Sequence, residues 1–447
     1  METFQLAIIG GGPAGYTAAE KAAHAGLRTV LFEKRALGGV CLNEGCIPTK
    51  TLLYSAKMLE HMRVADKYGL TCAGGDVNMP KLQTRRTKII RKLTAGIRSR
   101  MTAAGVTVVN AEAAVSAYKP GEILIEAGGE TYTAEKILLC TGSEVAIPPI
   151  PGVDKVAYWT STEALSSAEI PQHLVVIGGG VVGMEFACFY RSIGSEVTVI
   201  EMLPEVLAGL DGEISAMFRE ECRKKGIRFF LSARVEALEE GAVCFSHEGE
   251  TKRVEADRVL LAAGRRPVNR PSEVLPMEYD GRRLKVDSHM RTSLEGVYAC
   301  GDITGFSMLA HTAEREAAVA VNDILGIADE MSYRAIPGVV YTSPEVAGVG
   351  QTEEQLRAAG IEYKAKKLPM SFAGRFVVEN EAFAGLCKVL VDADDKILGV
   401  HMLGTPSSEI IVAAGMAIEQ GLTAHEWAKT VFPHPTVGEI LKETLHQ

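Results

Sequence analysis

Phe4-Gln5-Leu6-Ala7-Ile8-Ile9-Gly10-Gly11-Gly12-Pro13-Ala14-Gly15 is an apolar run that ends abruptly in three glycines, with a fourth three residues later. An Ala-rich helical pattern continues to about residue 25. Thr29-Val30-Leu31-Phe32 reads as a second strand, and Glu33 stands at its end. Strand, G-x-G-x-x-G, helix, strand and acid make a mononucleotide-binding unit. The glycines permit a tight turn and close approach to a pyrophosphate at the helix N-terminus, while the acid takes an adenosine ribose. The glycine spacing alone says little; its flanks give it meaning.

The unit recurs. Leu174-Val175-Val176-Ile177 leads into Gly178-Gly179-Gly180-Val181-Val182-Gly183, a helix, Val197-Thr198-Val199-Ile200 and Glu201. Glu201 follows Gly178 at the same interval that separates Glu33 from Gly10. An internal repeat decides architecture early, and two such units imply two dinucleotides, commonly a flavin and a nicotinamide. Each unit closes alike, on Lys136-Ile137-Leu138-Leu139-Cys140-Thr141-Gly142 and on Val259-Leu260-Leu261-Ala262-Ala263-Gly264-Arg265. Prolines 148, 149 and 151 mark the exit from the first unit. Val297-Tyr298-Ala299-Cys300-Gly301-Asp302 is a further short run, whose Asp reads either as a turn residue or as a partner for a cofactor's ribityl chain. Beyond about residue 332 no nucleotide fingerprint appears. Strands at 386–391 and 397–403 and a helix near 409–420 suggest an α+β domain.

The fold expected is therefore α/β, with two Rossmann-like dinucleotide-binding domains and a C-terminal α+β domain. Its boundaries are expected at 1–147, 148–267, 268–332 (a central segment completing the first domain) and 333–447.

The first unit is the longer, and its insertion holds Gly38-Gly39-Val40-Cys41-Leu42-Asn43-Glu44-Gly45-Cys46-Ile47-Pro48-Thr49-Lys50. In a regular helix, side chains five apart diverge by about 140° and climb about 7.5 Å. A disulfide needs Cα atoms within about 4.4–6.8 Å. Cys41 and Cys46 can bond only across a bend, which Gly45 permits. Pro48 suits a first helical turn, which predicts a helix from near Ile47. Cys46 at its N-terminus would then be favoured as a thiolate. The plainer reading is two buried, reduced cysteines.

Length and composition set limits. A chain of 447 residues suggests about three domains. A net charge of −9 argues against nucleic acid as the main partner. Nine scattered cysteines are not the framework of a small secreted domain. No signal peptide or membrane-length apolar run is seen, so a cytoplasmic location and no membrane association are expected. No metal site is expected. Between Lys81 and Arg100 there are eight basic residues and no acids, with Leu82, Ile89, Leu93, Ile97 and Met101 at helical spacing. This predicts an amphipathic helix whose basic face is either solvated or docks an acidic partner.

Near the C-terminus, Phe432-Pro433-His434-Pro435-Thr436-Val437-Gly438-Glu439 admits two readings. Thr436 and Glu439 have the spacing of a capping box. Alternatively Glu439 hydrogen-bonds His434 and makes it a proton acceptor for a thiol. With a dithiol in need of a base, the second is preferred.

Taken in order, the two fingerprints, GGVCLNEGCIPTK, CTGSEVAIPPIPG, AAGRRP, YACGDITG with MLAH, YTSPEVAGVG and HPTVGE resemble the flavoprotein disulfide reductases over essentially the whole chain, and among them the dihydrolipoyl dehydrogenases. The resemblance implies that Cys41 is the interchange thiol and Cys46 the thiolate facing the flavin. It implies FAD contacts from Gly10, Gly12, Gly15, Glu33, Lys50, Thr141, Gly142, Ser143, Asp302, Met308, Leu309, Ala310 and His311. NAD contacts fall to Gly178, Gly180, Gly183, Glu201 and Gly264, with Lys50 and Glu185 paired beside the flavin. His434 and Glu439 match a catalytic dyad that the other subunit of a homodimer contributes.

The implied reaction is oxidation of protein-bound dihydrolipoamide by NAD+. The partner is then a lipoyl-bearing protein of a 2-oxoacid dehydrogenase complex or of the glycine cleavage system. The alternative is a related NAD(P)H-dependent reductase of another low-molecular-weight disulfide; a purely scaffolding subunit would not need an intact dithiol and dyad. Glu201, with Met202-Leu203-Pro204 offering no arginine, favours NAD over NADP. The chain departs from the family pattern at Val40, Ala111, Phe432, Pro433 and Val437-Gly438.

Overall fold

The computed structural model describes residues 2–380 and 385–447. The chain forms two compact units: residues 1–51, 83–146 and 264–332 make the first, and 52–82, 147–263 and 333–447 the second.

In the first unit, the strand Glu2–Ile9 lies between Thr29–Phe32 and Glu130–Leu139 and runs parallel to both, with Ile8 opposite Leu31 and Leu138. Thr107–Val109 extends the parallel sheet on one side, and Val297–Ala299 pairs with the end of Glu130–Leu139. Phe4, Leu6, Ala7, Ile8 and Ile9 are all buried, as expected of a parallel strand covered on both faces. The start of Glu130–Leu139 also pairs antiparallel with Glu122–Ala127, which carries Ala113–Lys119 at the edge.

The second unit repeats the parallel design in four strands, in the order Ile227–Phe230, Glu196–Ile200, His173–Ile177, Arg258–Leu261. A separate antiparallel sheet of Arg234–Glu239, Ala242–His247 and Glu250–Glu255 follows. Residues beyond 333 build a five-stranded antiparallel sheet with Ile397–Leu403 at its centre, between Val346–Gly350 and Leu386–Val391. Helices Ser407–Glu419 and Glu439–Leu445 contribute Ile411, Ala414, Ile440 and Leu441 to its core. The α/β class and the α+β C-terminal region expected from the sequence are both present.

Two local expectations at the dithiol hold, and one boundary differs. The helix after the dithiol is Cys46–Arg63, with Cys46 at its N-terminus as expected. Gly45 makes the expected bend: with φ −143° it breaks the chain between helix Gly39–Glu44 and helix Cys46–Arg63. What demands glycine there is crowding, since a Cβ would meet the Val40 carbonyl oxygen at 3.0 Å. Finally, residues 52–82, assigned from sequence to the first domain, belong to the second unit. Leu52, Leu53, Ala56 and Leu59 share a core there with Met184, Phe186 and Tyr190.

Candidate active site

Glycine geometry is the same in both fingerprints. Gly10 and Gly178 each have φ +107°, a conformation that side-chain-bearing residues avoid. A Cβ on Gly15 would overlap the Gly10 carbonyl oxygen, and one on Gly183 would overlap that of Gly178. These small residues let helices Pro13–His24 and Val181–Ser192 start directly against the turn. Their N-caps, Gly12 and Gly180, give no side-chain hydrogen bond. The first amides of each helix thus point outward at a surface unshielded by a Cβ, which suits a pyrophosphate. Glu33 and Glu201 brace the two turns identically: Oε2 of each accepts from Gly11 N at 2.8 Å and from Gly179 N at 2.5 Å, respectively. Their other oxygens accept from Arg35 N and Leu203 N, both at 2.7 Å. Each carboxylate keeps lone pairs for a ribose hydroxyl.

The first unit adds a second uncapped helix start. Leu309 caps helix Ala310–Ile324 without a side-chain bond, so Met308, Leu309, Ala310 and His311 surround another set of outward amides. Asp302 Oδ2 accepts from Ser143 Oγ at 2.5 Å, and Arg265 Nε donates to the same Ser143 oxygen at 2.7 Å. Arg265 Nη2 also holds the Ser143 carbonyl at 2.7 Å. The Thr141 hydroxyl is committed to the Val268 carbonyl at 2.5 Å, and Gly142 turns the chain with φ +70°. Two uncapped helix starts, a ribose acid and an ordered carboxylate in one unit fit FAD; the second unit's single set fits NAD.

Cys41 and Cys46 are also in the first unit, both as partly buried thiols. Glycine placement explains their pose. Gly39 packs on Gly12, where a Cβ would come within 2.7 Å of the Gly12 Cα, and Gly38 N donates to Gly11 O at 2.8 Å. The short helix Gly39–Glu44 is thereby strapped to the fingerprint turn. The Cys41 thiol is hydrogen-bonded to Cys46, which together with burial pushes its pKa far up, while Lys50 draws it partly back. Cys46 begins a long helix, where the free amides and the helix dipole favour an anion.

The second unit holds Glu185 and the C-terminal pair. Glu185 is buried in helix Val181–Ser192, where Oε1 accepts from Tyr341 N at 3.0 Å. His434 Nδ1 lies 3.0 Å from Glu439 Oε1. Only half of the capping box forms: Thr436 Oγ1 donates to the Pro433 carbonyl and does not cap the helix, which begins at Glu439, so the hydroxyl half is missing. The carboxylate half is present, with Glu439 Oε2 accepting from Thr436 N at 2.8 Å. That amide and His434 hold the Glu439 carboxyl below the usual range, so it is an ionised acceptor. His434 Nδ1 must then donate, leaving Nε2 with the lone pair of a base.

Sequence reading named neither Arg265 nor Tyr16 and Glu314. Tyr16 OH donates to Glu314 Oε1 at 2.9 Å, and both sense the charge of Cys41. Only the arginine that follows Gly264 offered a signal; Tyr16 and Glu314 are 298 residues apart. Among the described residues no group of three or more His, Cys, Asp or Glu could hold a metal ion. No described helix is long and apolar enough to cross a membrane.

Residues 4–317 match the family model for pyridine nucleotide-disulphide oxidoreductases, and residues 336–445 match the dimerisation domain of the same family. The chain is 38% identical to a dihydrolipoyl dehydrogenase of Thermus scotoductus, over 99% of this chain and 97% of that one. It is 37% identical to a mitochondrial dihydrolipoyl dehydrogenase of Caenorhabditis elegans, over 98% and 91%. LpdA from Mycobacterium tuberculosis superposes with a TM-score of 0.90 at 25% identity, covering 100% and 99% of the two chains. The HOCl-induced flavoprotein disulfide reductase RclA from Escherichia coli gives 0.86 at 28%, covering 99% of each.

Proposed function

Because the chain belongs to the pyridine nucleotide-disulphide oxidoreductases, we propose that it is an FAD-dependent enzyme oxidising protein-bound dihydrolipoamide to lipoamide with NAD+. One observation carries this reading: full-length similarity to dihydrolipoyl dehydrogenases in a chain whose Cys41 and Cys46 form a hydrogen-bonded pair at a helix start.

In the oxidised enzyme Cys41 and Cys46 form a disulfide. His434 Nε2 takes the proton of one dihydrolipoyl thiol, with Glu439 fixing the ring and stabilising its cation. The resulting thiolate attacks Cys41, forming a mixed disulfide and releasing Cys46 as a thiolate. The second dihydrolipoyl thiol loses its proton and displaces Cys41, closing lipoamide. Cys41 leaves as a thiol, bonded to the Cys46 thiolate. FAD, once held in the first unit, would supply the two-electron relay between the Cys41–Cys46 dithiol and NAD+.

Gly10, Gly12, Gly15, Glu33, Thr141, Gly142, Ser143, Asp302 and residues 308–311 would hold FAD, with Lys50 and Glu185 beside it. Gly178, Gly180, Gly183, Glu201 and Gly264 would hold NAD, the Glu201 carboxylate repelling a 2′-phosphate. The match to a dimerisation domain supports a homodimer whose subunits each offer His434 to the other. The partner would be the lipoyl-bearing protein of a 2-oxoacid dehydrogenase complex or of the glycine cleavage system, in the cytoplasm.

The likeness to RclA, named as a disulfide reductase, favours a second reading: NAD(P)H-dependent reduction of another low-molecular-weight disulfide. The purified FAD-loaded protein separates the two. Rapid NAD+ reduction by dihydrolipoamide, abolished in Cys46→Ser, supports the first reading. Turnover only with NADPH and glutathione disulfide, or with another disulfide, replaces it.

A further inference from the structure

The reaction leaves the basic helix unexplained. Met79–Ala104 is a single helix of 26 residues, and most of its apolar face is packed inside the protein, with Leu82, Ile97 and Met101 buried and Leu93 exposed. That leaves little apolar surface by which an amphipathic helix would enter a lipid interface. Its outer face is cationic: Arg85, Lys88, Arg91 and Lys92 are exposed and follow one another at helical spacings of three and four, with Arg98 one heptad beyond Arg91. Helix residues 79–104 contain no acid, so no i,i+4 pair neutralises the row. Lys88, Arg91 and Lys92 have no ion-pair partner among the described residues. In a chain of net charge −9, such a concentration of cations is a local feature and not general basicity.

The row is also tied to the dithiol, within the same unit. At one end Arg85 Nη1 donates to the Thr51 carbonyl at 3.2 Å, on the helix that Cys46 begins. At the other end the Arg100 guanidinium lies 5.9 Å from the Tyr16 ring centroid, and Tyr16 senses Cys41. From Arg85 to Arg98 the row is roughly 20 Å long, a dimension suited to one face of a small domain.

We propose that this cationic face is the docking surface for the acidic face of the lipoyl-bearing domain whose dihydrolipoyl group reaches Cys41. The inference rests on the function proposed above. It adds how a protein-borne substrate is distinguished from the same group free in solution. Opposite charge steers encounter and sets orientation more than it adds contact energy, so the effect belongs to kcat/KM and fades with salt.

The test uses the FAD-loaded dimer and the variant Lys88→Glu/Arg91→Glu/Lys92→Glu, whose positions are exposed and outside the catalytic set. Two substrates are compared from low to high ionic strength: free dihydrolipoamide, and a purified dihydrolipoyl domain of net negative charge. Expected are a loss of about tenfold or more in kcat/KM for the domain at low salt, a flattened salt dependence, and change within about twofold for the free substrate. Equal losses for both substrates, or none for the domain, overturn the proposal while leaving the reaction intact. Wild-type protein that fails to oxidise free dihydrolipoamide overturns the function instead. Duplex DNA that binds the wild-type face and competes with no lipoyl domain would also overturn it, by showing a different occupant.

Discussion

Glu439 accepts one hydrogen bond from His434, at 3.0 Å, and with its other oxygen holds Thr436 N at 2.8 Å, so a single carboxylate aims the imidazole and anchors its loop. Replacing His434 by Gln removes the base. It should lower the rate of dihydrolipoamide oxidation by about 10²–10⁴-fold while leaving reduction of the enzyme by NADH largely intact. Glu439→Gln keeps an acceptor and should cost less. Rapid-reaction absorbance of the two half-reactions distinguishes them; equal damage to both would remove the assigned role.

The Cys41 proton is held up chiefly by its bond to Cys46. In Cys46→Ala that leading cause is gone, so the Cys41 pKa should fall and its alkylation should begin at lower pH than in the reduced wild type. Peptide mapping of iodoacetamide-treated protein across pH reads this directly. An unshifted profile would show that burial, not the partner sulfur, governs Cys41.

The two fingerprints should fail separately. Gly15→Ala drives a Cβ into the Gly10 carbonyl and should give protein poor in FAD, seen in its absorbance ratio at flavin and protein wavelengths. Gly183→Ala makes the same clash at Gly178. It should keep FAD and raise KM for NAD+ at least several-fold. If both variants lose only nicotinamide affinity, the assignment of cofactors to the two units is wrong.

A buried lysine is the second unit's most exacting electrostatic feature. Lys388 is 1% exposed, and its Nζ contacts Asp211 and Glu213 at 2.6 Å and Glu353 at 2.7 Å. Lys388→Met strands the buried Asp211 carboxylate, while Glu213 and Glu353 keep Lys367, and should destabilise by about 3 kcal/mol in chemical denaturation. Burial raises the Glu353 pKa, but bonds from Lys388 and Tyr363 outweigh it and bring it to about 2, from an ordinary 4.5. Its stabilisation is thus complete above about pH 4.5 and lost as pH falls towards 2. The urea midpoint should drop across that window in wild type, and by less in Lys388→Met.

The chain's order of strands, turns and helices was legible in its residues because those signals are local. An apolar run ending in glycines reports a strand and a turn within a dozen residues. Strands expected at 29–32, 386–391 and 397–403 occur at those bounds. The repeat was legible for the same reason, since each fingerprint is self-contained. What tertiary structure alone decided involves partners far apart in sequence. Arg265 and Ser143 are 122 residues apart, Tyr16 and Glu314 are 298, and Lys388 meets Asp211 across 177. The grouping of residues 52–82 with the second unit, and the sharing of Glu439 between His434 and the Thr436 amide, are likewise outcomes of the folded chain. A side chain's periodicity shows which face it occupies. Only the folded chain, where burial makes an unpaired charge costly, determines which distant group must meet it.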